Sequence, residues 1–232
     1  MLTSALSLLV QGSKLFLRLR CLWQLPFTLF MFVLLVAMGV HAQTHVEPLR
    51  PEIQAWAGHS PHLLWNGELY RLATSLLFTA GGWRFYCSVA MFCLAVGCVE
   101  WIHGTATSLS AFFGIHLATL LLMSIGVSLC ASLLESHRSS LLWYAQDVGP
   151  SAGYYGCLGL AIASLTPSRR VPLVIGIGSL LLLRLGWSGY HIPEDGRMLS
   201  ADISHAIAFP LGLFTSRWVP ARAGSTKSFP MD

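Results

Sequence analysis

Charged residues are scarce in this chain. Asp, Glu, Lys and Arg together make up only 10% of its 232 residues, whereas 54% of the residues are hydrophobic. An ordinary soluble domain carries roughly a quarter of charged residues. The composition therefore excludes such a domain, and the mean hydropathy of +0.63 indicates an integral membrane protein.

The chain also lacks the cysteine spacing of a metal site or a disulfide framework. No CxxC pair occurs, and no cluster of histidines lies near the cysteines in sequence. All six lie in or beside apolar segments: Cys21, Cys87, Cys93, Cys98, Cys130 and Cys157. Structural zinc and disulfide scaffolds are thus not indicated, and no metal or organic cofactor is predicted.

Long apolar runs fill most of the chain. A helical crossing needs about 20 such residues, and six stretches qualify, at about 25–42, 80–101, 109–134, 150–166, 171–188 and 200–216. They predict an all-α, multi-pass membrane protein with one six-helix domain over residues 23–217. Residues 1–22 form a basic leader, either amphipathic or disordered, and residues 218–232 are predicted to be a disordered cytoplasmic tail.

Basic residues indicate the orientation of these spans. The clusters that flank spans one, four and six fall on one side: Lys14, Arg18 and Arg20; Arg169 and Arg170; Arg217, Arg222 and Lys227. By the positive-inside rule both termini are cytoplasmic, as in a bacterial inner membrane protein. The net charge of +4 is explained by these topology signals, so no nucleic-acid partner is predicted.

The first span has a rival interpretation. Val40-His41-Ala42 resembles a signal-peptidase site, and cleavage there would remove the span. We favour retention because the apolar run is longer than a usual signal sequence. Removal would also reverse the termini relative to the basic clusters.

One serine stands on a glycine-framed turn, in Gly149-Pro150-Ser151-Ala152-Gly153. The GxSxG pattern also marks the strand-to-helix elbow of soluble hydrolases, but no strand-like alternation precedes it here. Ser151 is instead predicted at the start of a membrane helix, where free backbone N–H groups favour developing negative charge. Asp147 is predicted to cap this helix or to interact with its dipole.

A serine hydroxyl needs a base to become a nucleophile, and His205 fits that role best among nine histidines. Small residues recur around it at helical spacing: Ala201, Ser204, Ala208 and Gly212. Such a stripe favours close helix contact, which would bring His205 within roughly 2.6–3.2 Å of Ser151. The alternative is that His205 only donates a hydrogen bond between helices.

Other polar residues lie in or near the predicted spans. Asp202 stands one turn before His205, where it either orients the imidazole as a triad acid does or simply faces water. His116 and Arg184 have no obvious partner, and interhelical hydrogen bonding is predicted for them rather than catalysis.

From Gly67 to Gly212 the sequence resembles the rhomboid family of intramembrane serine proteases. The matching landmarks, in chain order, are Glu68-Leu69-Tyr70-Arg71, Glu100, Gly104, Gly149-Pro150-Ser151-Ala152-Gly153, Tyr155, Gly159, His205, Ala208 and Gly212. The first of these usually reads Trp-Arg in the family, so Tyr70 replaces a tryptophan. The resemblance implies a six-helix rhomboid-like bundle, a Ser151–His205 dyad, and Tyr155 stacked on the catalytic histidine.

The sequence departs from the family on the second helix. Typical active members carry a histidine and an asparagine there that help hold the oxyanion, and this chain has Arg84 and Ser88. Arg84 is either a substitute oxyanion donor or an interfacial anchor beside Trp83. Ser88, Gly149, Asp202 and Tyr155 complete the set of candidate oxyanion or orienting residues.

The resemblance implies proteolysis of membrane-protein substrates with a transmembrane segment, within the lipid bilayer. The substituted second-helix pair leaves an alternative, a catalytically silent rhomboid-like protein that binds transmembrane segments. A small transporter is disfavoured because the spans lack paired broken helices and midplane charges.

Overall fold

The computed structural model describes residues 24–134, 137–191 and 196–219, so the predicted leader and nearly all of the predicted tail lie outside the described residues. The described parts are helical and contain no β-strand, which confirms the all-α prediction. The helices are α1 Pro26–His41, α2 Pro51–Ala57, α3 Pro61–Trp65, α4 Arg71–Thr74, α5 Trp83–His103, α6 Thr105–Leu134, α7 His137–Tyr144, α8 Ser151–Ala163, α9 Pro167–Tyr190 and α10 Arg197–Thr215.

Four of these helices are long and apolar enough to cross a membrane. They are α5, the Thr105–Ala131 part of α6, α9 and α10. Helices also occupy the first and fourth predicted spans, but α1 has 16 residues and α8 only 13. At about 1.5 Å per residue, α8 is about 20 Å long, which is shorter than the roughly 30 Å of bilayer hydrocarbon.

Helix α8 is the central element of the bundle. It packs against α5, α6 and α10, and most of its side chains are buried. Its sequence suits this position because Gly153 and Gly156 leave room for neighbouring rings and branched chains. A methyl group on Gly153 would lie 2.5 Å from the Phe112 ring, and one on Gly156 would lie 2.3 Å from Ile115.

A buried carboxylate joins α1 to α5. Glu100 accepts hydrogen bonds from the backbone N–H groups of Phe27 and Thr28, at 2.9 and 2.8 Å, and from the Thr28 hydroxyl at 2.7 Å. Pro26 has no N–H, so Glu100 satisfies the N–H donors that follow it in the first turn of α1. The negative charge also suits the positive end of the helix dipole.

The short helices α2–α4 and α7 lie together where α8 and α10 begin, and this end of the bundle is called the loop end. Arg71 is buried there and donates to Glu68 and to the carbonyl oxygens of Ala55 and Gly58. Gln54 donates to the carbonyl oxygen of Gln146 at 2.6 Å. The segment between α1 and α5 is therefore ordered by these polar contacts together with a small apolar cluster that includes Leu49, Ala57 and Phe78.

We predict that Glu100→Ala destabilises the protein by about 2–4 kcal/mol, because it leaves buried N–H groups of α1 without an acceptor. Glu100→Gln keeps one acceptor oxygen and should cost less. The matched control is Glu52→Ala, which removes an exposed acid from the first turn of α2. Thermal unfolding in detergent micelles measures all three, and equal midpoints for Glu100→Ala and Glu52→Ala would contradict the capping role.

Candidate active site

The backbones of α8 and α10 are in direct contact. A methyl group on Gly212 would lie 1.9 Å from the carbonyl oxygen of Gly156, and one on Gly159 would lie 2.3 Å from that of Phe209. Only glycine permits this approach. The predicted small-residue stripe is therefore used in its second half, where Ala208 and Gly212 are buried.

The first half of the stripe has a different partner. The Ser204 hydroxyl lies 3.1 Å from the Met123 sulfur of α6, so this face of α10 packs against α6 rather than α8. Ala201 is half-buried. The partner changes because Ser204 and Gly212 lie at different angles around the axis of α10. Ser204 therefore faces α6, whereas Gly212 faces α8.

The turn before α8 is held by the loop end. Gly149 has φ 144°, a conformation that favours glycine, and its N–H donates to the carbonyl oxygen of Ser75 at 2.8 Å. The N-cap of α8 is Pro150, without a side-chain cap. The prediction that Asp147 caps the helix is therefore wrong, and its Oδ1 accepts from the Val148 N–H instead; the alternative, that Asp147 interacts with the helix dipole, stays a prediction.

Ser151 is the first residue of α8 and is half-buried. The N–H groups in the first turn of a helix have no intrahelical acceptor, so those of Ser151, Ala152 and Gly153 are the donors available to an oxyanion beside Ser151. The N–H of Gly149 is already used by Ser75. These N–H groups are candidate oxyanion donors that do not depend on Arg84.

His205 is buried and lies against Tyr155. The two rings are stacked, with centroids 4.2 Å apart and an interplanar angle of 28°. Tyr155 follows Ser151 by one turn of α8, on the same face, so His205 is at the face that carries the serine. Neither ring nitrogen of His205 has a hydrogen-bond partner among the described residues, and the predicted hydrogen bond to Ser151 is not formed in this structure.

Asp202 lies between His205 and a residue of α9. Its Oδ1 is 3.8 Å from His205 Nδ1 and 2.9 Å from Arg184 Nη2. The carboxylate is 2% exposed, which excludes the alternative that it faces water. Interhelical hydrogen bonding is the prediction for Arg184, and the structure pairs it with Asp202 across α9 and α10. A charge in an apolar helix usually requires a partner, but the sequence alone does not indicate which residue provides it.

The two second-helix positions face different surroundings. Arg84 is exposed, with Cζ 5.9 Å from the centroid of the Trp83 ring, as expected of an interfacial anchor. Ser88 is half-buried, and its side chain lies beside the phenol of Tyr154 in α8. Ser88 therefore lies at the α5–α8 contact, whereas Arg84 points away from it.

A buried histidine of the loop end, His59, contacts the turn that precedes α8. His59 exchanges two backbone hydrogen bonds of 2.9 Å with Asp147, and its Nε2 lies 3.4 Å from the Ser124 hydroxyl. Burial, with smaller contributions from His116 and Arg71, lowers the pKa of His59 to about 4. His116 itself lies 3.2 Å from the carbonyl oxygen of Leu72, which ties α6 to α4.

Comparison with known protein families, curated proteins and solved structures finds no match to this chain. The chemistry of the site is therefore judged from its geometry. It combines a serine at a helix N-terminus, an imidazole held at the same helix face and a buried carboxylate next to that imidazole. Acyl transfer by a serine nucleophile uses these same three groups as nucleophile, base and orienting acid. The described residues hold no group of three or more metal ligands.

We predict that Gly212→Ala destabilises the protein by about 2 kcal/mol or more, because the added methyl group forces α8 and α10 apart. Gly178→Ala on α9 is the matched control, since a methyl group there meets no atom within 4 Å. That change should be neutral or stabilising by up to about 1 kcal/mol. Thermal unfolding compares the two variants, and equal effects would show that the α8–α10 contact tolerates a side chain.

We also predict acid lability from His59. Its pKa in the folded protein is about 4, against an ordinary value of roughly 6.5. Between these values the unfolded chain binds a proton that the folded chain does not, so the free energy of unfolding falls as the pH falls, by about 3 kcal/mol at most. His59→Gln should flatten this part of the stability profile, while His41→Gln, which removes an exposed imidazole, should not. An unchanged slope in His59→Gln would contradict the assignment.

Proposed function

We propose that this chain is a rhomboid-type intramembrane serine protease that cleaves transmembrane segments of membrane proteins through a Ser151–His205 dyad. The observation that supports it most is the Tyr155–His205 stack of 4.2 Å. That stack fixes an imidazole from α10 on the face of α8 where Ser151 begins the helix.

The proposed reaction is acyl transfer. Ser151 Oγ attacks the scissile carbonyl carbon, His205 accepts the hydroxyl proton, and N–H groups of the first turn of α8 stabilise the oxyanion. The tetrahedral intermediate collapses when His205 gives that proton to the leaving amine. Water, deprotonated by His205, then attacks the acyl-enzyme and releases Ser151.

The proposed membrane arrangement is a six-helix rhomboid-like bundle over residues 23–217, with the loop end outside and both termini cytoplasmic. Two contacts support alternating helix directions. Glu100 near the end of α5 binds the start of α1, and His103 lies 2.8 Å from Ser164 just after α8. Because α8 is short and enclosed by other helices, Ser151 would lie below the membrane surface, within a bilayer such as the bacterial inner membrane.

The proposed substrates are proteins with a single transmembrane segment. No cofactor, metal or nucleic acid takes part in the proposed chemistry. The lipid bilayer is the second partner, because a substrate helix has to reach Ser151 from lipid.

A catalytically silent rhomboid-like protein that binds transmembrane segments is the second candidate. Two observations favour it. Ser151 and His205 are not hydrogen-bonded in the structure, and Arg84 lies on Trp83 rather than in the position of an oxyanion donor. Catalytic hydrogen bonds often tighten only when substrate binds, so the first observation does not decide between the two.

A fluorophosphonate probe separates the two candidates. An enzyme should be labelled at Ser151, with labelling lost in Ser151→Ala and reduced at least about hundredfold in His205→Ala. In-gel fluorescence and mass spectrometry of the labelled peptide measure this. Ser164→Ala is the matched control, because that serine also lies beside a histidine. Binding of a transmembrane peptide without any labelling would support the silent protein.

Arg84→Ala adds a further comparison in the same assay, with cleavage of a panel of tagged single-span proteins. Its position over Trp83 predicts unchanged turnover, because the first turn of α8 supplies the oxyanion donors. A large loss of turnover in a folded Arg84→Ala variant would indicate that Arg84 acts as an oxyanion donor after all.

A further inference from the structure

The imidazole of His205 is buried, but its ring nitrogens make no hydrogen bond to any described residue. Its side chain is 10% exposed, and both ring nitrogens lack a hydrogen-bond partner among the described residues. Buried polar groups are normally paired, so an unpaired imidazole in a packed helix calls for an explanation. The nearest carboxylate is that of Asp202, which is buried as well.

The Asp202 carboxylate is already engaged on its other side. Oδ1 lies 2.9 Å from Arg184 Nη2 but 3.8 Å from His205 Nδ1, and the second distance is too long for a hydrogen bond. The guanidinium N–H is not aligned for a hydrogen bond to that oxygen either. Arg184 therefore holds Asp202 mainly by charge, and His205 is left without its orienting acid.

The helix that carries Arg184 is loosely held. Only 11% of the apolar window of α9 is buried, against 44% in each of the other three long helices. Its glycines Gly176, Gly178 and Gly186 meet nothing within 4 Å of an added methyl group. The Arg184 side chain is itself 49% exposed. A displacement of α9 from α10 would have to open one small apolar cluster, in which Leu181 packs with Ile162 and Phe209, and a long arginine side chain would then reach the interface.

We propose that Arg184 and His205 compete for the Asp202 carboxylate, and that displacement of α9 transfers this carboxylate to the imidazole. A buried carboxylate that loses its cation needs another donor, and His205 is the donor next to it. Nδ1–H then donates to Oδ1, which leaves the Nε2 lone pair for the Ser151 proton. Arg184 is thus a positioning residue that acts through Asp202, and its role in turnover rests on the proposed protease function.

The test is a double-mutant cycle on the rate of fluorophosphonate labelling. Arg184→Gln frees Asp202 permanently and should label about tenfold faster than the wild type, whereas Arg184→Lys keeps the cation and should stay near the wild-type rate. Adding Asp202→Asn should cancel the gain. Leu183→Ala shortens an exposed side chain next to Arg184 and leaves the Arg184–Asp202 pair intact, so it is the control for truncation of a side chain on α9.

The proposal is overturned if folded Arg184→Gln labels no faster than the wild type. It is also overturned if the gain persists in the Asp202→Asn background, or if Leu183→Ala reproduces it. Folding of each variant is checked by size-exclusion chromatography and thermal unfolding in micelles.

A second readout does not depend on activity. ¹⁵N-histidine NMR in micelles, with His205 assigned by its loss in His205→Asn, shows which ring nitrogen carries the proton. Arg184→Gln should convert His205 to the Nδ1–H form bonded to a carboxylate, and Asp202→Asn should abolish that signature. If no variant is labelled by the probe, the protease function fails while this NMR result still decides whether the two residues compete. An unchanged His205 spectrum in Arg184→Gln would refute the competition.

Discussion

The contact between α8 and α10 is the constraint on which the site depends. Lipid gives helices little hydrophobic reason to associate, so association requires close packing of backbones. Gly156 and Gly212 provide that packing, because their backbones touch where any larger residue would collide. The axial register that this contact fixes also sets Tyr155 against His205. The geometry of the proposed dyad is thus a consequence of residues that take no part in its chemistry.

A second constraint acts at the loop end, where the chain must satisfy polar backbone groups without regular sheet. Arg71 collects two carbonyl oxygens of the α2–α3 segment, and His59 pairs with Asp147 through the backbone. The Gly149 N–H is bound by Ser75. These bonds determine where α8 starts, and therefore where the N–H groups beside Ser151 point. A buried, neutral His59 is part of this arrangement, which links the stability of the turn before α8 to pH.

Much of this architecture follows from the sequence. Apolar runs locate the long helices, and the Ala208–Gly212 spacing identifies the face of α10 that meets α8. The partner of Ser204 could not be inferred, since a small error in helix rotation moves a side chain from α8 to α6. The Arg184–Asp202 pair was missed for a related reason. The two residues are close only because α9 and α10 are antiparallel neighbours. Spacing along the chain does not show that Arg184 and Asp202 lie at the same height in the bundle. The hydrogen bond from the Gly149 N–H to Ser75 could not be inferred either, because it depends on the path of a loop, and loops have no periodic sequence pattern.

The state of His205 bears on whether it is a structural or a functional residue. A histidine retained to tie two helices together would be expected to donate a hydrogen bond across them. His205 makes none to any described residue, and ring stacking on Tyr155 together with the glycine contact holds it in place. The position of His205 therefore depends on helix packing rather than on a hydrogen bond to another helix. This geometry does not support a role for His205 as an interhelical hydrogen-bond donor, and a buried carboxylate 3.8 Å from the same ring favours the proposed role as a base.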